Sequence, residues 1–178
     1  IDTVALDRDK MEKLIQRVQE QKQNKIQIEM DGPEDKADVI EFSIDKDAVR
    51  LLSDNEVALE VKTEAVSIEI PKESIQAIAE DGKDLFFRVT PINNNEEKSA
   101  AIENAITAQV VQTAAGSSEV ITLGTPMMIE TNYQGYPTKL VFSLKDIDIP
   151  EDEKERAQFL SGLGVYINHS DGEQEFIR

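Results

Sequence analysis

If this chain does chemistry, its carboxylates are the place to look. "DGPEDKAD" gathers Asp31, Glu34, Asp35 and Asp38, and "DIDIPEDE" gathers Asp146, Asp148, Glu151, Asp152 and Glu153. Calcium takes roughly six to eight hard oxygen ligands, and clustered loop carboxylates can supply them. Neither run has the EF-hand spacing, with its central glycine and closing glutamate. Glu151 to Glu153 also have a simpler use, because acids in a first helical turn face the positive end of the helix dipole. Solvated acid and helix capping therefore outweigh a metal site, although calcium is the ion these residues would take.

Other candidates are thinner. His169, in "INHSDG", is the only histidine and has no serine or cysteine partner nearby, so a solvated turn residue is expected rather than a base. Asn168-His169-Ser170 matches an N-glycosylation acceptor, a short pattern that chance often produces. A glycosidase needs two facing carboxylates, usually beside aromatic platforms. Aromatics make up only 5% of the chain and tryptophan is missing, so that chemistry is poorly supported. Tyr133 and Tyr136, in "NYQGYP", could form a small partner contact, but tyrosines covering a sheet edge are the plainer reading. There is no glycine-rich phosphate loop, nucleophile elbow or zinc motif. The expectation is a non-enzyme with no catalytic residue and no cofactor.

The totals narrow the partners. Nineteen basic against thirty-six acidic residues give a formal charge of −17 and a pI near 4.4. Such a polyanion is repelled by nucleic-acid phosphates and anionic membranes, so neither is expected as a partner. With no cysteine, disulfides and thiolate chemistry are excluded. No apolar run approaches the ~20 residues of a membrane span, so membrane insertion is not expected. The chain opens on Ile1 and closes on "QEFIR", which looks like a strand beginning; a piece of a longer polypeptide is expected.

The elements that would carry these residues follow from periodicity. In "LDRDKMEKLIQRVQEQK", Met11, Leu14, Ile15 and Val18 share one helical face, with Asp7 as N-cap and Leu6 placed to staple onto Met11. "KIQIEM" alternates as a strand with Ile26, Ile28 and Met30 on one side, "VIEFSI" is a second strand, and Asp45 can cap the short helix "KDAVRLL". "EVALEVKTEAVSIEI" reads as two strands or one bent strand. Pro71 ends it and leads into a helix with Ile75, Ile78 and Ala79 inward. "LFFRVTPI" is a strand, and Asn94 or Asn95 caps a helix bearing Ile102, Ala105 and Ile106. "TAQVVQT" and "EVITLGTPMMIET" read as a hairpin-like pair, followed by strand "TKLVFSL", strand "DIDIP", helix "EDEKERAQFL" and strand "GVYINH". The order repeats approximately, which suggests two α+β pseudo-repeats, 1–92 and 93–178, packed as one unit of mostly antiparallel sheet with short helices.

The runs "VALEVKTEAVSIEIPKESIQAIAEDGKDLFFRVTPI" and "LGTPMMIETNYQGYPTKLVFSL" resemble modules of large Gram-positive cell-surface proteins that lie beside S-layer homology domains in bacilli. The shared pattern is an alternating strand, an Ile-Pro or Leu-Pro junction, a short helix with a small-residue stripe, and a strand matched here by Leu85 to Thr90. The likeness covers most of the chain, best from Glu56 onward, and brings no catalytic residues. It implies an extracellular, wall-associated structural or adhesive module. Its partners would be neighbouring domains of the same surface protein, another protein or a wall polymer. The rival expectation is a surface domain binding calcium or a wall glycan.

Overall fold

The computed structural model describes residues 1–30 and 39–178, which form two compact units. The first contains 1–91 and 127–143; the second contains 92–126 and 144–178. The strands at 127–131 and 139–142, read from the sequence as part of a second half, thus belong with the first unit.

The first unit is built from one recurring connection. β1 (Asp2–Leu6), α1 (Arg8–Glu20) and β2 (Lys25–Glu29) are followed by β3 (Ile40–Ile44), α2 (Lys46–Asp54) and β4 (Ala58–Lys62). Then come β5 (Val66–Ile70), α3 (Lys72–Glu80) and β6 (Leu85–Pro91). After an excursion into the second unit, the chain returns for β7 (Met127–Thr131) and β8 (Lys139–Phe142). One sheet has the order β1-β3-β6-β7 and the other β2-β4-β5-β8. Each helix therefore carries the chain from one sheet to the other, and the β7–β8 loop does so without a helix. β1 with β3 and β2 with β4 are parallel, and the other pairs are antiparallel. The expected α+β class with mostly antiparallel sheet is what the chain adopts. Within the first unit the recurring piece is strand-helix-strand.

Local chemistry explains the boundaries. Asp7 accepts from the Lys10 N–H and Asp45 from the Ala48 N–H, each satisfying an orphan donor of a first helical turn. Pro71 stands at the N-cap of α3, where its missing N–H costs nothing. The 58–70 segment is two strands. The buried Thr63 hydroxyl donates to the Val66 carbonyl and accepts from the Val66 N–H, fastening the turn between them.

Alternation then sorts side chains by face. Ile40, Phe42, Ile44, Leu85, Phe87 and Val89 from one sheet share a core with Ile26, Leu59, Val61, Val66, Ile68 and Ile70 from the other. The helices add Met11, Ile15, Val49, Leu52, Ile75 and Ile78. Phe42 and Phe87 face each other across β3 and β6 with ring centroids 5.1 Å apart. Such a pair contributes about 0.5–1.5 kcal/mol beyond burial alone.

The second unit holds α4 (Asn95–Thr107), α5 (Gln109–Ala115), α6 (Glu153–Ser161), and the antiparallel hairpin of β9 (Val165–Asn168) and β10 (Gln174–Ile177). Among the described residues, its buried apolar side chains are Ala108 and Val111. Gly164 is in contact with the Phe176 ring, and a Cβ there would lie 2.2 Å from it. Two local expectations fail here. "TAQVVQT" is helical: Gln109, Ala114 and Ala115 are good helix formers, and the Gln112 N–H bonds the Ala108 carbonyl. "DIDIP" has the alternation of a strand but pairs with none.

Candidate functional site

The acids were the leading candidates. Asp31, Glu34, Asp35 and Asp38 lie outside the described residues. Asp146 and Asp148 are exposed. Asp152 is the N-cap of α6, accepting from the Lys154 and Glu155 N–H groups at 3.0 Å each. Arg156, one turn on, donates to the Pro150 and Glu151 carbonyls. The run therefore acts as a helix start. Among the described residues no group of three or more His, Asp or Glu side chains could hold a metal ion.

His169 lies in the β9–β10 turn, 3.7 Å from Glu175 and largely exposed. Its backbone closes the turn, with the His169 N–H on the Glu173 carbonyl and the Gly172 N–H on the His169 carbonyl. Gly172 has φ +91, a conformation that favours glycine.

The tyrosine loop proves to be a strap over α3. The Tyr136 hydroxyl donates to Asp81, at the C-cap of the helix, and the buried Ser74 hydroxyl near its start donates to the Pro137 carbonyl. Asn132 ties the loop to the start of β6, accepting from the Phe86 N–H at 2.8 Å and donating to the Asp84 carbonyl at 2.7 Å. Tyr133 is 6% exposed and belongs to the core. Burial pushes its phenol pKa up, with the Thr138 and Thr131 hydroxyls opposing. The Asp81 hydrogen bond raises the Tyr136 phenol, and the same bond lowers the Asp81 carboxyl. Of the two tyrosines, Tyr133 is buried and Tyr136 is half-buried.

Periodicity did not point to the polar order on the sheet faces. On the outer face of the β2-β4-β5-β8 sheet, Glu60 and Glu69 stand directly opposite each other. Two edge-strand lysines offset the repulsion: Lys25 Nζ is 2.7 Å from Glu60 and Lys139 Nζ is 3.2 Å from Glu69. The hydrogen bond from Lys25 holds the Glu60 carboxyl below the usual range, and Ser67 adds to it. On the other sheet Arg88 bridges Glu41 at 2.8 Å and Glu130 at 3.4 Å, with its guanidinium 5.7 Å from the Phe86 ring. The sequence signal for both ladders is opposite charge at matched or diagonal outward positions of paired strands, which can be read only once the register is known.

A shallow depression of about 260 Å³ lies between α1 and α2, lined by Glu12, Ile15, Gln16, Gln19, Leu51 and Asn55. The Gln19 amide donates to Asn55 and the Asn55 amide to the Leu51 carbonyl, so these groups hold the two helices together. No known protein family, curated protein or solved structure matches the chain.

Proposed function

We propose that the chain is a non-catalytic structural or adhesive module of a bacterial cell-surface protein of the S-layer-associated kind. The observation that carries this reading is how the ionisable side chains are used. Glu41, Glu60, Glu69 and Glu130 are tied into cross-strand ladders. Asp7, Asp45 and Asp152 cap helices, and Asp81 anchors the strap. Apolar side chains from both sheets and three helices form one core in the first unit. A module with this composition works by staying folded and keeping its neighbours apart, and offers sheet edges and loops for contact. The resemblance of residues 57–92 and 123–144 to wall-associated modules supports the location.

Location is the test. Antibodies against the chain should label intact cells of the source organism, and protease added to those cells should remove the signal. Protection of the epitope until the cells are lysed would overturn the proposal.

A further inference from the structure

The second unit is made of two stretches of about 35 residues that stand in different relations to an applied force. The stretch 92–126 leaves the first unit after β6 and re-enters it at β7. Its two ends are held together by the β6–β7 ladder, which runs from Phe87 opposite Thr131 to Pro91 opposite Met127. The Ile92 N–H then donates to the Pro126 carbonyl at 2.8 Å, closing the base of the insert. The stretch 144–178 follows β8 and leads to Arg178.

We propose that, under tension along the chain, the stretch 144–178 of the second unit yields first, and that the insert bearing α4 and α5, once β10 has parted from α5, is shielded from load until the first unit ruptures. This rests on the reading as a structural module, for which load is the relevant stress. Tension passes from Ile1 through the strands of the first unit to Ser143 and then along 144–178. β10 packs on α5 and the Arg178 guanidinium donates to the Ala114 carbonyl, so these side contacts part first; once they have, and while the β6–β7 ladder holds, 92–126 is a side loop that carries none of the tension. The loaded half of the second unit is also the weaker element. In the β9–β10 hairpin, Val165 pairs with Ile177 at the open end, so pulling through the hairpin separates its pairs one at a time. α6 has no buried residue. The first unit resists with two four-stranded sheets around a shared core, with β1 held at both ends by the Asp2 N–H on the Val39 carbonyl and the Asp45 N–H on the Leu6 carbonyl.

Single-molecule stretching of the full chain, with handles at residues 1 and 178, tests the load path. At ~3.5 Å of contour per residue, the first and weaker event should lengthen the chain by about 120 Å. The second should release the remaining 143 residues, about 500 Å. A first event of about 240 Å would put the insert on the load path and overturn the proposal. So would a single combined event, or the long event coming first. A second arm uses the absence of native cysteine: a disulfide made by Ile92→Cys with Pro126→Cys should shorten only the second event, by about 120 Å. Shortening of the first event instead would overturn the shielding. Cell-surface labelling reads the location separately, so the mechanical claim and the functional one can fail independently.

Discussion

At the residue scale, several charged side chains that no motif singles out hold strands together. Glu60 shows it best. Its side chain is only 13% exposed and faces Lys25, Ser67 and Glu69, with Lys62 beside it on the same strand. Its folded pKa lies below the ordinary value near 4.5, chiefly because of the Lys25 hydrogen bond. Stability from this pair is thus fully present above that ordinary value and is lost as pH falls through the depressed folded one. Lys25→Met keeps the aliphatic stem and removes the charge. It should cost about 1 kcal/mol or less at pH 7, since Lys25 is 45% exposed and solvent screens the pair. As pH falls below that ordinary value and through the depressed one, the gap from the parent should narrow, because Glu60 loses the charge that Lys25 faces. Urea unfolding at pH 7 and at a series of lower pH values measures it, and a gap that never narrows would count against the pairing.

At the scale of elements, the β7–β8 connection is the informative one. Three sheet-to-sheet passages in the first unit use helices, while this one uses a loop whose Tyr133 enters the core and whose Tyr136 and Pro137 fasten to the two ends of α3. Tyr133→Ala removes a buried aromatic and should cost about 3–5 kcal/mol. Tyr136→Phe keeps its ring and loses only the bond to Asp81, so the denaturant midpoint should move far less. The opposite ranking would show Tyr133 to be a surface residue. From sequence alone the two tyrosines look alike, because "NYQGYP" has no period to say which ring turns inward. Where a period exists, the sequence was readable: Met11 and Ile15 on one helical face, Ile75, Ile78 and Ala79 on the inward face of α3, and Asp7 and Asp45 as caps all stand as expected. β1 escaped notice because Thr3, Val4 and Ala5 form a short edge strand whose partner, β3, lies beyond an intervening helix and strand. The Glu60–Lys25 and Arg88–Glu41 pairs were hidden for the same reason, since strand register is not written locally.

At the scale of the whole molecule, charge dominates. A net charge of −17 repels itself in the compact state, and added salt shortens the Debye length to about 8 Å near 0.15 M, weakening that repulsion. The melting temperature should therefore rise from low to moderate sodium chloride. Divalent ions should raise it further through general screening, with calcium and magnesium acting alike at equal concentration. The reason for expecting parity is that, among the described residues, no three carboxylates gather where they could hold a cation. A dedicated calcium site would break it: at a hundredfold excess over Kd, binding adds about 2.7 kcal/mol to the native state. For a chain of this size that is a further shift of roughly 5–10 °C. Thermal melts in matched calcium and magnesium chloride therefore distinguish a load-bearing module from a calcium-dependent binding domain, and a calcium excess of that size would favour the latter.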